Sequence, residues 1–375
     1  MVLETLHRSL RQWTREPLYY FGSALTLALA IGAAVASLAV IRPALLDPLP
    51  YRDGRELISL LTYSQGATSA VSPRVLRDLE AAPSPLREFA AIRPSASIWE
   101  GAGLTESLPA SVVTASYFPL LGARPAHGRF FADGETSSAV ISWAFWQNSL
   151  GGDPKVVGRV LRLDGQDVTV VGVMAPDFFG PYWPGVSLWL PLDVPSFLRD
   201  PARGRRAFTV LARRTAPQGE VDEFLKVFTA RMRADHPAVH GQQSWVARPL
   251  RDELVGSAGP ALLGTGAAAL LLLLTVTANL AGLSAVRAVE RRRQIAVRSA
   301  LGATRGRLRF DSLVDSLGIA VVGSGLGVAI GGGAIGVLAG FQRQFLDRIP
   351  PIELDGLTAT LGVVAGLLAG LATAL

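Results

Sequence analysis

Two of the four histidines have the spacing of a metal-binding pair. His236 and His240 are four residues apart, which places two imidazoles on the same face of a helix, where they could bind zinc. However, Pro237 directly follows the first histidine, and no further histidine or carboxylate is spaced to complete the ligand set. The pair is therefore only a weak indication of a metal site, and we expect no metal ion and no cofactor.

Other common catalytic chemistries lack their residues. A nucleotide-binding phosphate loop needs Gly-Lys followed by Ser or Thr, but the two lysines, Lys155 and Lys226, lie in the contexts Pro-Lys-Val and Leu-Lys-Val. The sequence has no Gly-x-Ser-x-Gly elbow and no cysteine, which excludes thiol catalysis and disulfides. We therefore expect a protein that is not an enzyme and does not itself hydrolyse ATP.

The strongest concentration of charge lies between two uncharged runs. From Arg287 to Arg309 there are eight arginines and one acid, Glu290. Residues 254–286 and 316–342 contain no Asp, Glu, Lys or Arg, and each run exceeds the roughly 20 residues that a helix needs to cross a bilayer. Because short arginine-rich loops stay in the cytoplasm, the sequence predicts two membrane spans joined by a cytoplasmic loop. The net charge of +6 is explained by such loops, so no nucleic-acid partner is expected.

The amino terminus predicts a further span. Apolar residues recur every three or four positions in residues 1–16, which is typical of an amphipathic helix in the membrane interface. Residues 17–41 then carry no charge. A cleaved signal peptide is the alternative interpretation, but its apolar region usually has about 7–15 residues, so a permanent span is favoured.

Counting the spans gives a topology in which both basic segments are cytoplasmic. The sequence predicts an α-helical transmembrane bundle of four spans, the last incomplete, with an α+β extracytoplasmic domain inserted after the first span. The bacterial cytoplasmic (inner) membrane is the expected location. The predicted segments are 1–16 (interfacial helix), 17–41 (span 1), 42–255 (extracytoplasmic domain, with one or two subdomains), 256–286 (span 2), 287–315 (cytoplasmic loop), 316–342 (span 3), 343–356 (short outer loop) and 357–375 (span 4).

Local patterns indicate the mixed character of the inserted domain. Ser72 and Pro73 are a plausible cap and first residue of a helix, and residues 221–234 have helical apolar spacing. Asp164-Gly165 predicts the turn of a β-hairpin, and residues 242–249 resemble a strand. The tryptophans are expected in core or loop packing rather than in a ligand cage; they include Trp143, Trp146, Trp183 and Trp189.

The third span is rich in glycine, which lets helices approach closely in lipid. The simpler alternative is that glycine is common in membrane helices. We favour a packing role, and expect Asn279 of the second span to form an interhelical hydrogen bond rather than a transport site. The glycines expected at helix contacts are Gly327, Gly331, Gly332, Gly336 and Gly340.

Several motifs together resemble a known family. The segment 292–307, Arg-Arg-Gln-Ile-Ala-Val-Arg-Ser-Ala-Leu-Gly-Ala-Thr-Arg-Gly-Arg, resembles the cytoplasmic loop of FtsX/MacB-type ABC transporter permeases. Other segments are similar to one half of the duplicated orphan permeases of that family. They are Leu10–Pro17, Leu25–Gly32, Leu49–Tyr51, Tyr117–Arg129, Gly151–Gly158 and Val170–Val173.

The resemblance implies partners and a site. A separate or fused cytoplasmic ABC ATPase subunit would act through the loop between spans 2 and 3, and a second permease half or a homodimer partner would complete the unit. Membrane lipid and an envelope protein are further expected partners. The residues expected to couple to the ATPase are Glu290, Arg291, Arg292, Arg293, Ile295, Val297, Arg298, Leu301 and Gly302. The alternative is a loop that only sets topology and contacts anionic lipid.

The sequence therefore predicts a permease subunit that couples ATP hydrolysis by a partner to export or extraction, through movement of the extracytoplasmic domain. The alternative function is a membrane-anchored sensor or scaffold with no ATPase partner. An integral-membrane hydrolase is a third possibility, but it lacks a catalytic set.

The topology is testable with single cysteines, because the natural chain has none. In intact spheroplasts, an impermeant thiol reagent should label Ser137→Cys in the predicted outer domain. It should not label Ser299→Cys in the predicted cytoplasmic loop until the membrane is permeabilised. Labelling of Ser299→Cys alone would reverse the topology.

Overall fold

The computed structural model describes residues 13–14, 16–101, 104–182, 185–192, 208–256, 258–290, 305–345 and 354–374. The chain divides into two compact units. One is a membrane unit made of the chain up to Asp47 and from Ser257 onward, and the other is an inserted unit, Pro48–Gly256.

The helices of the described residues are α1 (Pro17–Ile41), α2 (Pro73–Ala81), α3 (Tyr117–Leu121), α4 (Trp143–Ser149), α5 (Gln218–Asp235), α6 (Pro237–His240), α7 (Leu250–Val255), α8 (Ala258–Glu290), α9 (Arg305–Phe345) and α10 (Gly356–Ala374). The strands are β1 (Leu57–Ser64), β2 (Ala67–Ser69), β3 (Leu86–Gly101), β4 (Leu104–Val113), β5 (Pro125–Gly128), β6 (Ser138–Ile141), β7 (Val160–Leu163), β8 (Gln166–Met174), β9 (Leu188–Pro191), β10 (Thr209–Arg214) and β11 (Gln243–Pro249).

The membrane unit is a helix bundle. Helices α1, α8, α9 and α10 are each long and apolar enough to cross a membrane, and α1 ends in a π-helical turn, Arg42–Leu46. Most side chains buried between these helices are aliphatic or small, and they include Leu27, Ile31, Val35, Val276 and Leu280. The predicted fold class, a transmembrane bundle with an inserted mixed domain, is confirmed.

The inserted unit is built on a mixed sheet. Within the described residues, eleven strands form one sheet with the central order β11-β1-β10-β3-β4-β9-β6-β8-β5; β2 joins β1, and β7 joins β3 and β8. The long hairpin of β3 and β4 pairs continuously from Ile92↔Val113 to Gly101↔Leu104. Among the described strands, only the β4–β9 and β6–β8 pairs are parallel. The hairpin therefore joins the strands on one side of the sheet (β11, β1 and β10) to those on the other (β9, β6, β8 and β5).

Three hydrophobic clusters line this sheet. One lies beneath α2 and α5 and includes Leu60, Leu79 and Phe228. A second, around α4, includes Phe145 and Val170. The third contains the aromatic residues Tyr51, Tyr117, Phe118, Tyr182 and Trp189. The two longest described helices of this unit, α2 and α5, are thus held against the sheet because each buries one apolar face.

The local predictions for this unit are confirmed where the structure describes them. The backbone N–H of Val75 donates to the Ser72 hydroxyl at 3.3 Å, which caps α2. In the β7–β8 hairpin, Asp164 and Gly165 have φ values of 52° and 75°, as a two-residue type I′ turn requires. Helix α5 contains the predicted helical segment 221–234, and β11 begins one residue later than the predicted strand 242–249.

The predicted aromatic packing is also found. Trp143 and Trp146 pack against each other, with ring centroids 4.7 Å apart, and Trp189 is buried in the aromatic cluster. Trp183 lies outside the described residues. His240 of the sequence-predicted histidine pair is buried, its Nδ1 lies 3.0 Å from Oε1 of Gln243, and its ring packs on Trp245.

A buried arginine joins four parts of the inserted unit. Arg213 of β10 has a side chain only 1% exposed, and its Nε donates to the Glu88 carboxylate at 3.1 Å. Its other nitrogens donate to the carbonyl oxygens of Leu120 at 2.7 Å and Arg52 at 2.9 Å. Glu88 has a φ of 53° where the β10–β3 register shifts. This bulge brings its carboxylate to the arginine.

The charge of Arg213 controls the ionisation of Glu88. Burial acts to raise the pKa of Glu88, but the hydrogen bond and charge of Arg213, with the charges of Arg52 and Arg87, lower it overall. A lowered carboxyl pKa stabilises the fold fully above the ordinary carboxyl pKa, and that stabilisation is lost as the pH falls through the lowered value.

Replacing Arg213 by methionine should destabilise the inserted unit, because the carbonyl groups of Leu120 and Arg52 lose their donor. We expect the free energy of unfolding to fall by about 3 kcal/mol at neutral pH, and its dependence on pH below the ordinary carboxyl pKa to become weaker. Tryptophan fluorescence reports this unfolding, since six of the seven tryptophans lie within residues 48–256.

The control is Arg124→Met, which removes an exposed arginine elsewhere in the same unit. It should change stability by less than about 0.5 kcal/mol. If the two variants have the same free energy of unfolding, the contacts of Arg213 do not contribute to the stability of this unit.

Candidate functional site: the helix bundle and its polar ends

Helices α1 and α9 meet along a row of glycines. A Cβ atom added to Gly327 would lie 2.7 Å from Cβ of Ile31 and 2.9 Å from the Ala28 carbonyl oxygen. One added to Gly331 would lie 2.8 Å from Val35. Gly323 continues the row one turn earlier. Since these distances leave no room for a side chain, the two backbones approach as closely as glycine allows.

The other glycines that the sequence suggested lie elsewhere. Among the described residues, a Cβ on Gly336 would have no atom within 4 Å, and one on Gly332 would meet only Leu354, which precedes α10, at 3.1 Å. At about 100° per residue, Gly332 is rotated about 140° from Gly327 around α9. Within the described residues, Gly332 and Gly336 therefore do not lie on the face of α9 that packs against α1, and their packing role stays a prediction. The surroundings of Gly340 lie outside the described side chains.

Asn279 also differs from its expected position. Its side chain is exposed on the outer surface of α8, whereas the residues of α8 that are buried in the bundle are Ala269, Val276 and Leu280. In the part of the chain that the structure describes, Asn279 does not hold two helices together.

A second glycine row, on α10, was missed by the sequence analysis. Side chains added at Gly362, Gly366 and Gly370 would collide with Val35 of α1 and with Ser324 and Ala320 of α9. The signal was present in the sequence, since these glycines also recur every four residues. Helix α1 therefore packs against glycine rows on both α9 and α10.

One end of the bundle is fastened by polar contacts of α1 with α8 and α9. Arg287 forms an ion pair with Glu16, and its guanidinium carbon lies 3.3 Å from the ring centroid of Tyr19. The Tyr19 hydroxyl is 3.2 Å from that of Ser284. The Tyr20 hydroxyl donates to Asp315 of α9 at 3.4 Å. Such contacts are strengthened near an apolar medium.

The other end is fastened by Arg42, which follows α1. Its Nη1 donates to the carboxylate of Asp355 at 2.7 Å and to the Thr358 hydroxyl at 3.1 Å, and it also pairs with Asp47 at 3.1 Å. Asp355 caps α10 by accepting from the Thr358 backbone N–H at 3.0 Å. Hydrogen bonds from Thr358 and Arg42 hold the pKa of Asp355 well below its ordinary value.

Most of the predicted coupling residues are not described by the structure. Glu290 is the last residue of α8. Arg291, Arg292, Arg293, Ile295, Val297, Arg298, Leu301 and Gly302 lie outside the described residues. Just before these residues in the chain lies Arg287, which forms the ion pair with Glu16.

Comparison with known proteins identifies the family. The family model of the MacB-like periplasmic core domain matches residues 20–227, more than half of the chain. The model of the FtsX-like permease C-terminal region matches residues 266–375. The chain belongs to the FtsX/MacB family of permeases. Members of this family are membrane proteins that generally work with an ABC ATPase and are generally not catalytic themselves. No curated protein matches the chain.

Solved structures of permease domains are similar to about half of the chain. A permease domain from Porphyromonas gingivalis is 17% identical, with a TM-score of 0.43 over 53% of this chain and 92% of that one. The periplasmic region of MacB from Actinobacillus actinomycetemcomitans is 12% identical (TM-score 0.39, 56% and 91%). The extracellular domain of the transporter YknZ from Gram-positive bacteria is 13% identical (TM-score 0.38, 51% and 99%).

The two glycine environments on α9 allow a matched test. Gly327→Leu should force α1 and α9 apart and cost about 1–3 kcal/mol or more, measured as a lower unfolding temperature of the purified protein in detergent. Gly336→Leu should have little effect, because a side chain there meets open space. Both substitutions add the same intrinsic helix propensity, so their difference reports packing alone. An equal effect of the two would contradict the described contact face.

Proposed function

We propose that this FtsX/MacB-family permease couples ATP hydrolysis by a cytoplasmic partner to movement of its extracytoplasmic domain, in export or extraction across the bacterial inner membrane. The observation that carries the proposal is that α1 is bonded at one end to α8 and α9 and at the other end to α10. A bundle fastened in this way moves as a body, so displacement at one end reaches the other.

The chain path supplies the two connections that such a device needs. The inserted unit begins two residues after the turn Arg42–Leu46, and two residues separate the end of α7 from the start of α8. At its other end, α8 leads through Arg287 into the segment that we propose to contact the ATPase. A push on that segment would therefore act first on the contact between Arg287 and Glu16, which is anchored in α1.

The orientation follows from the arginine distribution. In this proposal the end with Glu16 and Arg287 faces the cytoplasm, because eight arginines follow between residues 287 and 309. The end with Arg42 and Asp355 then faces outward, together with residues 48–256. Each polar cluster contains both signs of charge, which reduces the cost of placing ions beside the hydrocarbon core.

The coupling residues are proposed to form a short helix that enters a cleft of the ATPase. Ile295, Val297 and Leu301 would supply apolar contact, while Glu290 and the arginines 291, 292, 293 and 298 would supply charge. Gly302 would end this helix before α9 begins at Arg305. A second permease half or a second copy of the chain would complete the transporter.

A sensor function is the second candidate, and a cavity in the inserted unit favours it. This cavity has a volume of about 320 Å³ and is lined by Phe145, Phe178 and Trp189, with Asn148 and Glu106 as polar groups. Its size and its mixed aromatic and polar lining suit a small ligand. A sensor of this kind would need no ATPase, and this distinguishes the two functions.

The test uses the full polypeptide, purified from native membranes with any bound nucleotide-binding subunit. Arg298→Glu reverses one charge at the proposed contact, and the loop remains basic, so insertion should be normal. We expect at least a tenfold loss of associated ATPase subunit and of its activity. Val297→Asp should have the same effect through the apolar side of the segment.

Arg309→Glu is the matched control. It makes the same change of charge beyond the proposed contact and should retain the ATPase subunit. Full ATPase association and activity in correctly inserted Arg298→Glu and Val297→Asp proteins would reduce the segment to a topology signal. The absence of any ATPase subunit from the unmodified protein would favour the sensor.

A further inference from the structure

The cavity of the inserted unit lies where two neighbouring strands of the sheet differ in length. Leu188, the first residue of β9, pairs with Ala110 of β4, and the backbone N–H of Ser187 donates to the Pro109 carbonyl oxygen at 2.8 Å. Among the described strands, none continues along that side of β4 toward its start at Leu104. The space beside this part of β4 is the cavity of about 320 Å³, which is also bounded by α4 and by the segment between β8 and β9.

The wall formed by the segment between β8 and β9 is held in place from behind. The Tyr51 hydroxyl donates to the Phe179 carbonyl oxygen at 2.9 Å, and a Cβ added to Gly180 would lie 3.1 Å from the Tyr117 hydroxyl. Tyr182 of the same segment is buried and has a φ of 77°. A bulky residue keeps such a backbone conformation only where its surroundings hold it. The wall is therefore formed before any ligand arrives, which lowers the entropic cost of binding.

Aromatic side chains make the cavity suitable for the apolar part of a ligand. Its volume is about twice the roughly 150 Å³ that holds a benzene molecule inside a protein, so one ring and a substituent of similar size would fit. The face of an aromatic ring also attracts cations. The aromatic residues that line the cavity, among those described, are Trp143, Phe145, Phe178, Phe179 and Trp189.

Glu106 gives the described lining of the cavity its only charged group. The chain has 36 lysines and arginines, but none of those described lines the cavity. Glu106 has no ion-pair partner among the described residues, whereas Glu100 on the paired strand is bonded to Arg162 at 3.0 Å. The other polar side chains of the lining are neutral; they are Ser142, Asn148, Ser149 and Ser187.

We propose that this cavity binds a small organic cation, with its ammonium group beside the Glu106 carboxylate and its apolar body against the aromatic rings. An anion would be repelled by Glu106 and would meet no positive group among the described lining residues. A neutral ligand of the same shape would keep the apolar contact but lose the attraction of the carboxylate and of the ring faces. The site therefore selects its ligand by charge as well as by size.

The proposal rests on the cavity that favours the sensor function, and it adds the chemical class of the ligand. It requires neither an ATPase partner nor a particular orientation of the helix bundle. A bound cation would contact β4, α4 and the segment before β9 together, and it would therefore stabilise the folded inserted unit.

Calorimetric titration of the full chain, purified in a maltoside detergent, tests the selection by charge. The probes are benzyltrimethylammonium, benzyl alcohol and phenylacetate, which carry a positive, no and a negative charge on a similar ring. The cation should bind saturably at one site per chain, at least about tenfold more tightly than the other two probes. No saturable binding of the cation, or equal binding of phenylacetate or benzyl alcohol, would overturn the proposal.

Two matched variants locate the site. Glu106→Gln should weaken binding of benzyltrimethylammonium about fivefold or more and leave binding of benzyl alcohol within about twofold. Glu100→Gln is the control, because Glu100 adjoins Trp99, which pairs with Glu106, and so lies on the other face of the β3–β4 hairpin. It should bind the cation within about twofold of the unmodified chain.

The unfolding temperature of each variant without ligand shows whether it is folded. The cation should raise this temperature for the unmodified chain and for Glu100→Gln, and raise it less for Glu106→Gln. A folded Glu106→Gln protein that binds the cation as tightly as the unmodified chain would refute the proposed site. These measurements omit the ATPase, so their failure is distinct from a failure of coupling.

Discussion

The close approach of α1 to two glycine rows is the constraint on which the membrane unit depends. Ile31 and Val35 of α1 occupy the space that side chains would fill at Gly327 and Gly331 of α9 and at Gly362 and Gly366 of α10. In lipid no hydrophobic effect drives helices together, so contact area between them must supply the attraction. Rotation of α1 about its axis would therefore break its contacts with both glycine rows.

Glycine rows set the distance between helices but hold their axial position only weakly, since one turn resembles the next. The polar contacts at the two ends remove that freedom. Arg287 reaches both Glu16 and the ring of Tyr19 at one end, and Arg42 reaches Asp355 at the other. Sliding by one turn, about 5.4 Å, would break both sets together. Apolar packing thus supplies the attraction between the helices, and the charged groups fix their axial position relative to one another.

Local features were predictable from the sequence because their causes are local. The Ser72 cap, the Asp164-Gly165 turn and the uncharged spans each follow from a few adjacent residues. Adjacent residues do not show which glycines of α9 face α1. Gly327–Gly331 and Gly332–Gly336 have the same spacing and differ only in the direction they face. The burial of Arg213 depends on partners about 90 to 160 residues away in the chain, and an arginine in a short strand gives no signal of this. Asn279 was recognised as exceptional, but periodicity alone did not show which side of α8 would be buried.

The end of α8 determines the charge of the segment that follows it. Between residues 287 and 309 there are eight arginines and one acid. The pair of Arg287 with Glu16 offsets one of these charges. The remaining positive charge favours an acidic surface, which anionic lipid or an acidic cleft of an ATPase would supply. Because Glu16 directly precedes α1, binding at that surface would act on α1 through the same ion pair.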